Sequence, residues 1–194
     1  SENGSHPESD PDREPPFFFM KPATTIVVDG KDMAYPSLTK DMHHEIEMVV
    51  AIGKGGSNIS SEKALEHVWG YGVGLDMTRR DLQGEAKKMG RPWDTGKNVE
   101  QSCPLGLIHP VSEVGHIDSG AITLAVNGDT KQSSNITDLI WPVEDVIVFL
   151  SALYRIEPGD LIYTGTPAGV GAVVRGDVME GAIAGLGSLK VAVR

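Results

Sequence analysis

A chain of 194 residues, 40% hydrophobic and 23% charged, is long enough for one domain with a substantial core and argues against two. Its formal charge of -10 and pI near 5.0 argue against nucleic acid or an anionic membrane surface as partner; an anionic ligand would need local cations. No apolar run reaches the roughly 18 residues of a membrane span, no signal peptide opens the chain, and the single Cys103 cannot close an intrachain disulfide, so a reducing cytoplasm is the expected location.

The 23 glycines and 12 prolines favour a β-rich fold with many tight turns over a helical bundle. Residues 1–15 are polar, acidic and proline-bearing and are expected to be a flexible segment, within which Gly4-Ser5-His6 resembles a tag remnant. Phe17–Met20 reads as a short strand ending at Lys21, which is either a substrate cation or an ordinary exposed lysine. A second short strand, Ile26–Val28, runs into a turn at Asp29-Gly30. The run from His43 to Ile52 reads as one buried strand closed by Gly53. Alternation places His43, Glu45 and Glu47 on one face. Two neighbouring carboxylates entering a core repel each other and are costly to desolvate, unless a hard divalent cation lies between them. The other reading is a sheet edge whose glutamates face water.

A helix is expected from Ser60 or Ser61 through Trp69, stopped by Gly70. Tyr71, Val73 and Leu75 then alternate with Gly72, Gly74 and Asp76. The two glycines suggest an open backbone groove where a ligand could approach Asp76; the alternative is a bent strand ending in a capping aspartate. Thr78–Asp81 starts a helix that runs to Met89 with Gly90 as its stop, placing Arg80 and Gln83 on one face and Lys87 and Lys88 at the C-terminal end. Residues 91–97 are irregular, and Cys103–Pro110 is a connecting loop in which Cys103 is a buried structural thiol. Ile122–Val126 and its return strand form a hairpin about Asn127-Gly128. The clearest helix opens at Pro142 and carries Val146, Ile147, Phe149, Leu150, Leu153 and Tyr154. Leu161–Thr164 is a strand running into a glycine-rich loop, 165–171, which lacks the Gly-Lys-Ser/Thr ending of a nucleotide loop. Arg175-Gly176-Asp177 is a turn, and Leu189–Val193 is the last strand.

Four ordered blocks carry a resemblance. His43-His44-Glu45-Ile46-Glu47, Gly72 through Gln83, Gly96-Lys97 and Thr164 through Gly171 resemble the fumarylacetoacetate hydrolase family over nearly the whole chain from Pro16. Within it, Pro15 through Phe19 and Lys21-Pro22 are most similar to small bacterial acylpyruvate hydrolases. The resemblance implies an α+β fold, mainly β, of the mixed β-sandwich roll type, with residues 16–194 as a single catalytic domain in a homodimer. It implies Mg²⁺ or Mn²⁺, with Ca²⁺ also admissible, held by Glu45, Glu47 and Asp76, leaving about three octahedral positions open. It also implies hydrolysis of the carbon–carbon bond of a 2,4-dioxo acid, with fumarylpyruvate the expected substrate. Lys97 and Arg80 are then the catalytic cations, and Gln83, Thr166, Gly165 and Lys21 contact substrate. The same site would serve oxaloacetate decarboxylation or keto–enol tautomerisation, and a lidless, inactive binding scaffold is the remaining alternative. Family hydrolases usually carry a His and a Glu one turn apart in an N-terminal segment that covers the site. Nothing before Lys21 matches it, His6 and Glu8 being only two apart around Pro7, so this pair is not carried over. His43 and His44 are the nearby alternatives.

Overall fold

The computed structural model describes residues 14–28 and 31–194, so the expectations for residues 1–13, including His6 and Glu8, and for the Asp29-Gly30 turn lie outside the described residues. Residues 14–22 carry no strand. Two of their aromatic side chains instead pack on one indole, Phe17 edge-on to Trp93 at 5.2 Å and Phe19 tilted against it at 5.9 Å, while Phe18 packs on the core. Strand β1 (Ile26–Val28) follows as expected.

The run from His43 is not one strand. It breaks at Glu45 into β2 (Met42–His44) and β3 (Ile46–Ile52), which belong to different sheets. Every residue of β3 is buried, so the uninterrupted apolar run after Glu47 reflects cover on both faces rather than one. The helix expected through Trp69 is shorter: α1 (Ser61–Ala64) continues as a 3₁₀ turn over Leu65–His67 and gives way to β4 (Val68–Leu75). Pairing with β3 outweighs helix formation here, since β-branched Val68 lies opposite Ile52 and the ladder runs on to Leu75 opposite Ile46. Thr78 and Arg79 form β5 (Thr78–Arg79) against β2 rather than opening the helix; α2 (Arg80–Lys88) starts one residue later and ends where Gly90 takes φ +62°. The stretch read as irregular contains one helical turn, α3 (Asp94–Lys97).

The expected loop over Cys103–Pro110 contains β6 (Cys103–Leu105), parallel to β1, and β7 (His109–Pro110), paired with β4 and followed by the single turn α4 (Val111–Val114). The hairpin is present as read: β8 (Ala121–Val126) and β9 (Asp129–Asn135) join through Asn127 at φ +51° and Gly128 at φ +87°. Pro142 lies just outside α5 (Val143–Leu153), and Glu144 and Asp145 occupy its first turn. The chain closes with β10 (Leu161–Tyr163), β11 (Gly171–Val173), β12 (Val178–Ile183) and β13 (Gly187–Ala192).

Three sheets result. The largest runs β1-β6-β4-β3-β10 with β7 on β4; a small one runs β11-β2-β5; the third runs β13-β12-β8-β9. The first and third share a core in which Ile46, Val73, Leu124, Met179 and Leu189 are almost wholly buried. Gly181 permits this contact, because a Cβ there would meet Ile46 Cδ1 at 2.9 Å. This is the α+β, mainly β arrangement expected from the sequence. The break at Glu45 is the junction between the large and the small sheet, and the site lies there.

Candidate metal centre

Three carboxylates converge at that junction. The backbone N–H of Asp76 donates to the carbonyl of Glu45 at 2.8 Å, so the residue after β4 is tied to the residue before β3. Glu47 stands opposite Gly74 in the same ladder. Glu45, Glu47 and Asp76 each offer an oxygen within 4.8 Å of the other two, and all three side chains are buried.

Their charges are not equally compensated. Asp76 receives Lys21 Nζ at 2.7 Å on Oδ1 and Lys97 Nζ at 2.6 Å on Oδ2. Burial raises the Asp76 pKa, but these two ammonium groups outweigh it and hold the carboxyl below the ordinary aspartate value. Glu45 receives Lys97 at 2.8 Å and the Arg80 guanidinium. Glu47 has no ion-pair partner among the described residues and accepts the Gly165 N–H at 2.8 Å. Burial first, and then the negative charge of Asp76, push the Glu47 carboxyl well above the ordinary glutamate value. A buried carboxylate facing two others without its own cation is the arrangement a hard divalent ion relieves, and an all-oxygen donor set suits Mg²⁺ or Mn²⁺ better than a thiophilic metal. The residues therefore fit the metal.

The surrounding cations are placed by packing. A Cβ at Gly96 would meet Gln83 Cβ at 2.8 Å and its backbone nitrogen at 2.9 Å, so α3 lies hard against α2, and the next residue, Lys97, reaches Glu45 and Asp76. Lys97 Nζ also donates to Thr78 Oγ1 at 2.7 Å and lies 4.8 Å from the Phe19 ring centroid. The shared face of Arg80 and Gln83 is real, with Arg80 Nη1 donating to Gln83 Oε1 at 2.7 Å. Lys21 is part-buried rather than an exposed lysine; besides Asp76 it donates to the carbonyls of Met77 and Ser102 at 3.0 and 3.1 Å.

The two histidines are engaged elsewhere. His43 Nε2 lies 2.9 Å from Asp41 and its Nδ1 accepts from Arg80 Nε at 3.4 Å, so the ring buttresses the guanidinium. His44 is buried against Gln132, and burial lowers its pKa. The glycines beside Asp76 do not form a ligand groove. A Cβ at Gly72 would meet Ile108 Cδ1 at 2.7 Å, and one at Gly74 would meet Val49 Cγ2 at 2.5 Å and Tyr163 Cε1 at 2.7 Å, so their space holds protein side chains. Cys103 is buried, and burial raises its thiol pKa, as a structural cysteine requires.

The structure thus brings together Lys21, Glu45, Glu47, Asp76, Arg80, Gln83, Lys97 and Gly165. Thr166 joins them through Gln132, whose Nε2 donates to Thr166 Oγ1 at 2.8 Å. Sequence reading missed Gln132, Thr78 and Phe19. For Gln132 no local signal exists, because it stands in a polar strand, and nothing in the order of residues marks it as the one wholly buried.

A buried carboxylate trio at a sheet junction, ringed by lysine and arginine, forms a donor set that suits a divalent metal ion. The chain belongs to the fumarylacetoacetate hydrolase family, whose model for the fumarylacetoacetate (FAA) hydrolase C-terminal region matches residues 2–194. It is 50% identical over 180 residues to a fumarylpyruvate hydrolase of Ralstonia sp, covering 93% of both chains. It is 36% identical over 175 residues to the mitochondrial oxaloacetate tautomerase FAHD1 of Rattus norvegicus, covering 90% of this chain and 79% of that one. Among solved structures it resembles fumarylpyruvate hydrolase from Pseudomonas aeruginosa, crystallised with Mn²⁺ and pyruvate, at TM-score 0.91 and 55% identity over 95% of this chain and 81% of that one.

Proposed function

We propose that this protein is a divalent-metal-dependent hydrolase that splits an acylpyruvate at its carbon–carbon bond, with fumarylpyruvate, giving fumarate and pyruvate, as the preferred substrate. The observation that carries the reading is the Glu45–Glu47–Asp76 centre with Lys97 bridging two of its acids. Relatives named fumarylpyruvate hydrolase, matched over most of both chains, support the choice of substrate. Glu45, Glu47 and Asp76 would hold Mg²⁺ or Mn²⁺, which when bound supplies positive charge to the α-keto carboxylate end of the substrate.

The chain's own residues do the rest. Lys97, buried between Glu45 and Asp76, adds a fixed positive charge where negative charge grows on the departing pyruvate. Arg80, braced by Glu45, Gln83 and His43, is oriented before substrate arrives and binds a substrate oxygen beside the centre. Gln83, Lys21, and the Thr166 hydroxyl with the Gly165 turn bind and align the remaining oxygens. Water adds to the distal carbonyl, the bond between that carbon and the pyruvate methylene breaks, and the methylene carbon takes up a proton to become the pyruvate methyl. The catalytic unit is taken to be residues 16–194, acting as a homodimer in the cytoplasm; no described helix is long and apolar enough to cross a membrane.

The oxaloacetate-directed relatives give the second reading, decarboxylation or tautomerisation at the same centre. With Mn²⁺-loaded protein, pyruvate release from fumarylpyruvate is expected to exceed that from oxaloacetate; the reverse order favours decarboxylation, and faster keto–enol interconversion of oxaloacetate without pyruvate release favours tautomerisation. Asp76→Ala is expected to fold and be inactive; full activity in that variant refutes the assignment.

A further inference from the structure

Strand β9 is polar along its length, and Gln132 is the one of its seven residues that is buried, at 0% exposure. A register shift in the hairpin explains why. Leu124 pairs with Gln132 and Ala125 with Thr130, so Lys131 is the extra, bulged residue, and the bulge turns Gln132 inward. The same bulge presses the Lys131 carbonyl against Gly169, where φ is +98° and a Cβ would collide with that oxygen.

All of the Gln132 amide is used. Its Oε1 accepts the Ile46 N–H at 3.1 Å and lies 2.9 Å from His44 Nδ1; its Nε2 donates to Pro167 O at 2.9 Å and to Thr166 Oγ1 at 2.8 Å. These partners fix the amide's orientation, because a backbone N–H only donates and a backbone carbonyl only accepts. Thr166 Oγ1 is therefore held as an acceptor, and its own proton is left to donate elsewhere. The residue bonded at the other end, Ile46, stands between Glu45 and Glu47.

We propose that Gln132 is a positioning residue that ties the glycine loop to the metal-bearing strand and sets the polarity of the Thr166 hydroxyl, so that its proton points to the carboxylate of a bound α-keto acid. This rests on the reading of Thr166 as a carboxylate contact. Oxalate, a planar dianion resembling the α-keto carboxylate end, is the probe, titrated calorimetrically into Mn²⁺-loaded protein, with the Mn²⁺-induced rise in melting temperature measured alongside. Gln132→Met is expected to weaken oxalate binding about tenfold or more while keeping the Mn²⁺-induced rise, and to have no further effect once Thr166 is Val. Additive losses, or loss of Mn²⁺ binding equal to that of oxalate, overturn the proposal in favour of a purely structural glutamine. Should the Met variant not fold, Gln132→Glu keeps the acceptor for Ile46 but turns the Thr166 proton inward; unchanged oxalate affinity there overturns the proposal as well. If Thr166→Val leaves oxalate binding intact, the reading of Thr166 fails and takes the proposal with it, while fumarylpyruvate cleavage by the wild type still stands or falls separately.

Discussion

Lys97 and Asp76 form a buried ion pair, Nζ to Oδ2 at 2.6 Å, within the ring of carboxylates proposed to hold the metal. The lysine therefore has two tasks. It charges the proposed substrate site, and it bridges Asp76 and Glu45, each of which has one further cation, Lys21 and Arg80 respectively.

Replacing Lys97 by Met tests both. Removing Lys97 strips Asp76 and Glu45 of one of their two cations each, so the metal-free variant is expected to lose up to about 3–5 kcal/mol, with Lys21 and Arg80 limiting the loss. Saturating Mn²⁺ supplies the missing charge and should recover much of that loss, about 2.7 kcal/mol when the ion is at a hundred times its Kd. Cleavage should remain abolished. Chemical denaturation with and without Mn²⁺, beside a pyruvate-release assay, checks the three expectations together.

Glu47→Gln should behave in the opposite sense without metal. The Glu47 pKa is raised in the fold above the ordinary 4.5, so the protonated form is favoured there; the stability this confers is present below 4.5 and is lost as pH rises through the raised native value. Metal-free wild type should thus fall in melting temperature relative to Glu47→Gln as pH climbs above 4.5. Mn²⁺ should raise the wild type and not the variant. Because the ion needs the deprotonated carboxylate, binding should release protons, seen as a dependence of calorimetric heat on buffer ionisation enthalpy.

Arg80→Lys keeps the charge but cannot reproduce the guanidinium fork to Glu45, Gln83 and His43. A loss of roughly 10- to 100-fold in kcat/KM is expected, with the melting temperature little changed, since the group is only part-buried. Steady-state kinetics on fumarylpyruvate decide it.

Two glycines give a paired test of packing. Gly74→Ala would drive a methyl into Val49 and Tyr163 and cost about 1–3 kcal/mol, loosening Asp76 two residues on and with it Mn²⁺ affinity. Gly84, inside α2 with nothing within 4 Å of its would-be Cβ, should instead gain about 0.5–1 kcal/mol as Ala. Melting curves of the two variants should move in opposite directions.

Tyr71 offers an alkaline test away from the centre. Burial raises its pKa to about 12 from 10.0, and its hydroxyl pairs with His116 Nδ1 at 2.8 Å. The fold favours the protonated phenol, so this stability is intact below pH 10 and declines as pH rises toward 12. Tyr71→Phe should remove that component of the decline.

Sequence order by itself determined the Asn127-Gly128 hairpin, the helix after Pro142, the stop at Gly90 and the pairing of Arg80 with Gln83, because turn geometry, helix ends and three-residue helical spacing are local properties. The blocks resembling the family also carried the acids and cations now found together. Only the tertiary structure decided that the strand breaks at Glu45, that Gly72 and Gly74 make room for Ile108, Val49 and Tyr163, and that Gln132 is buried. Each of these depends on which strands, distant in sequence, lie side by side. The Glu45 break sends β2 and β3 to separate sheets, and a bulge in β9 turns one glutamine of a polar strand inward, neither of which any local pattern records.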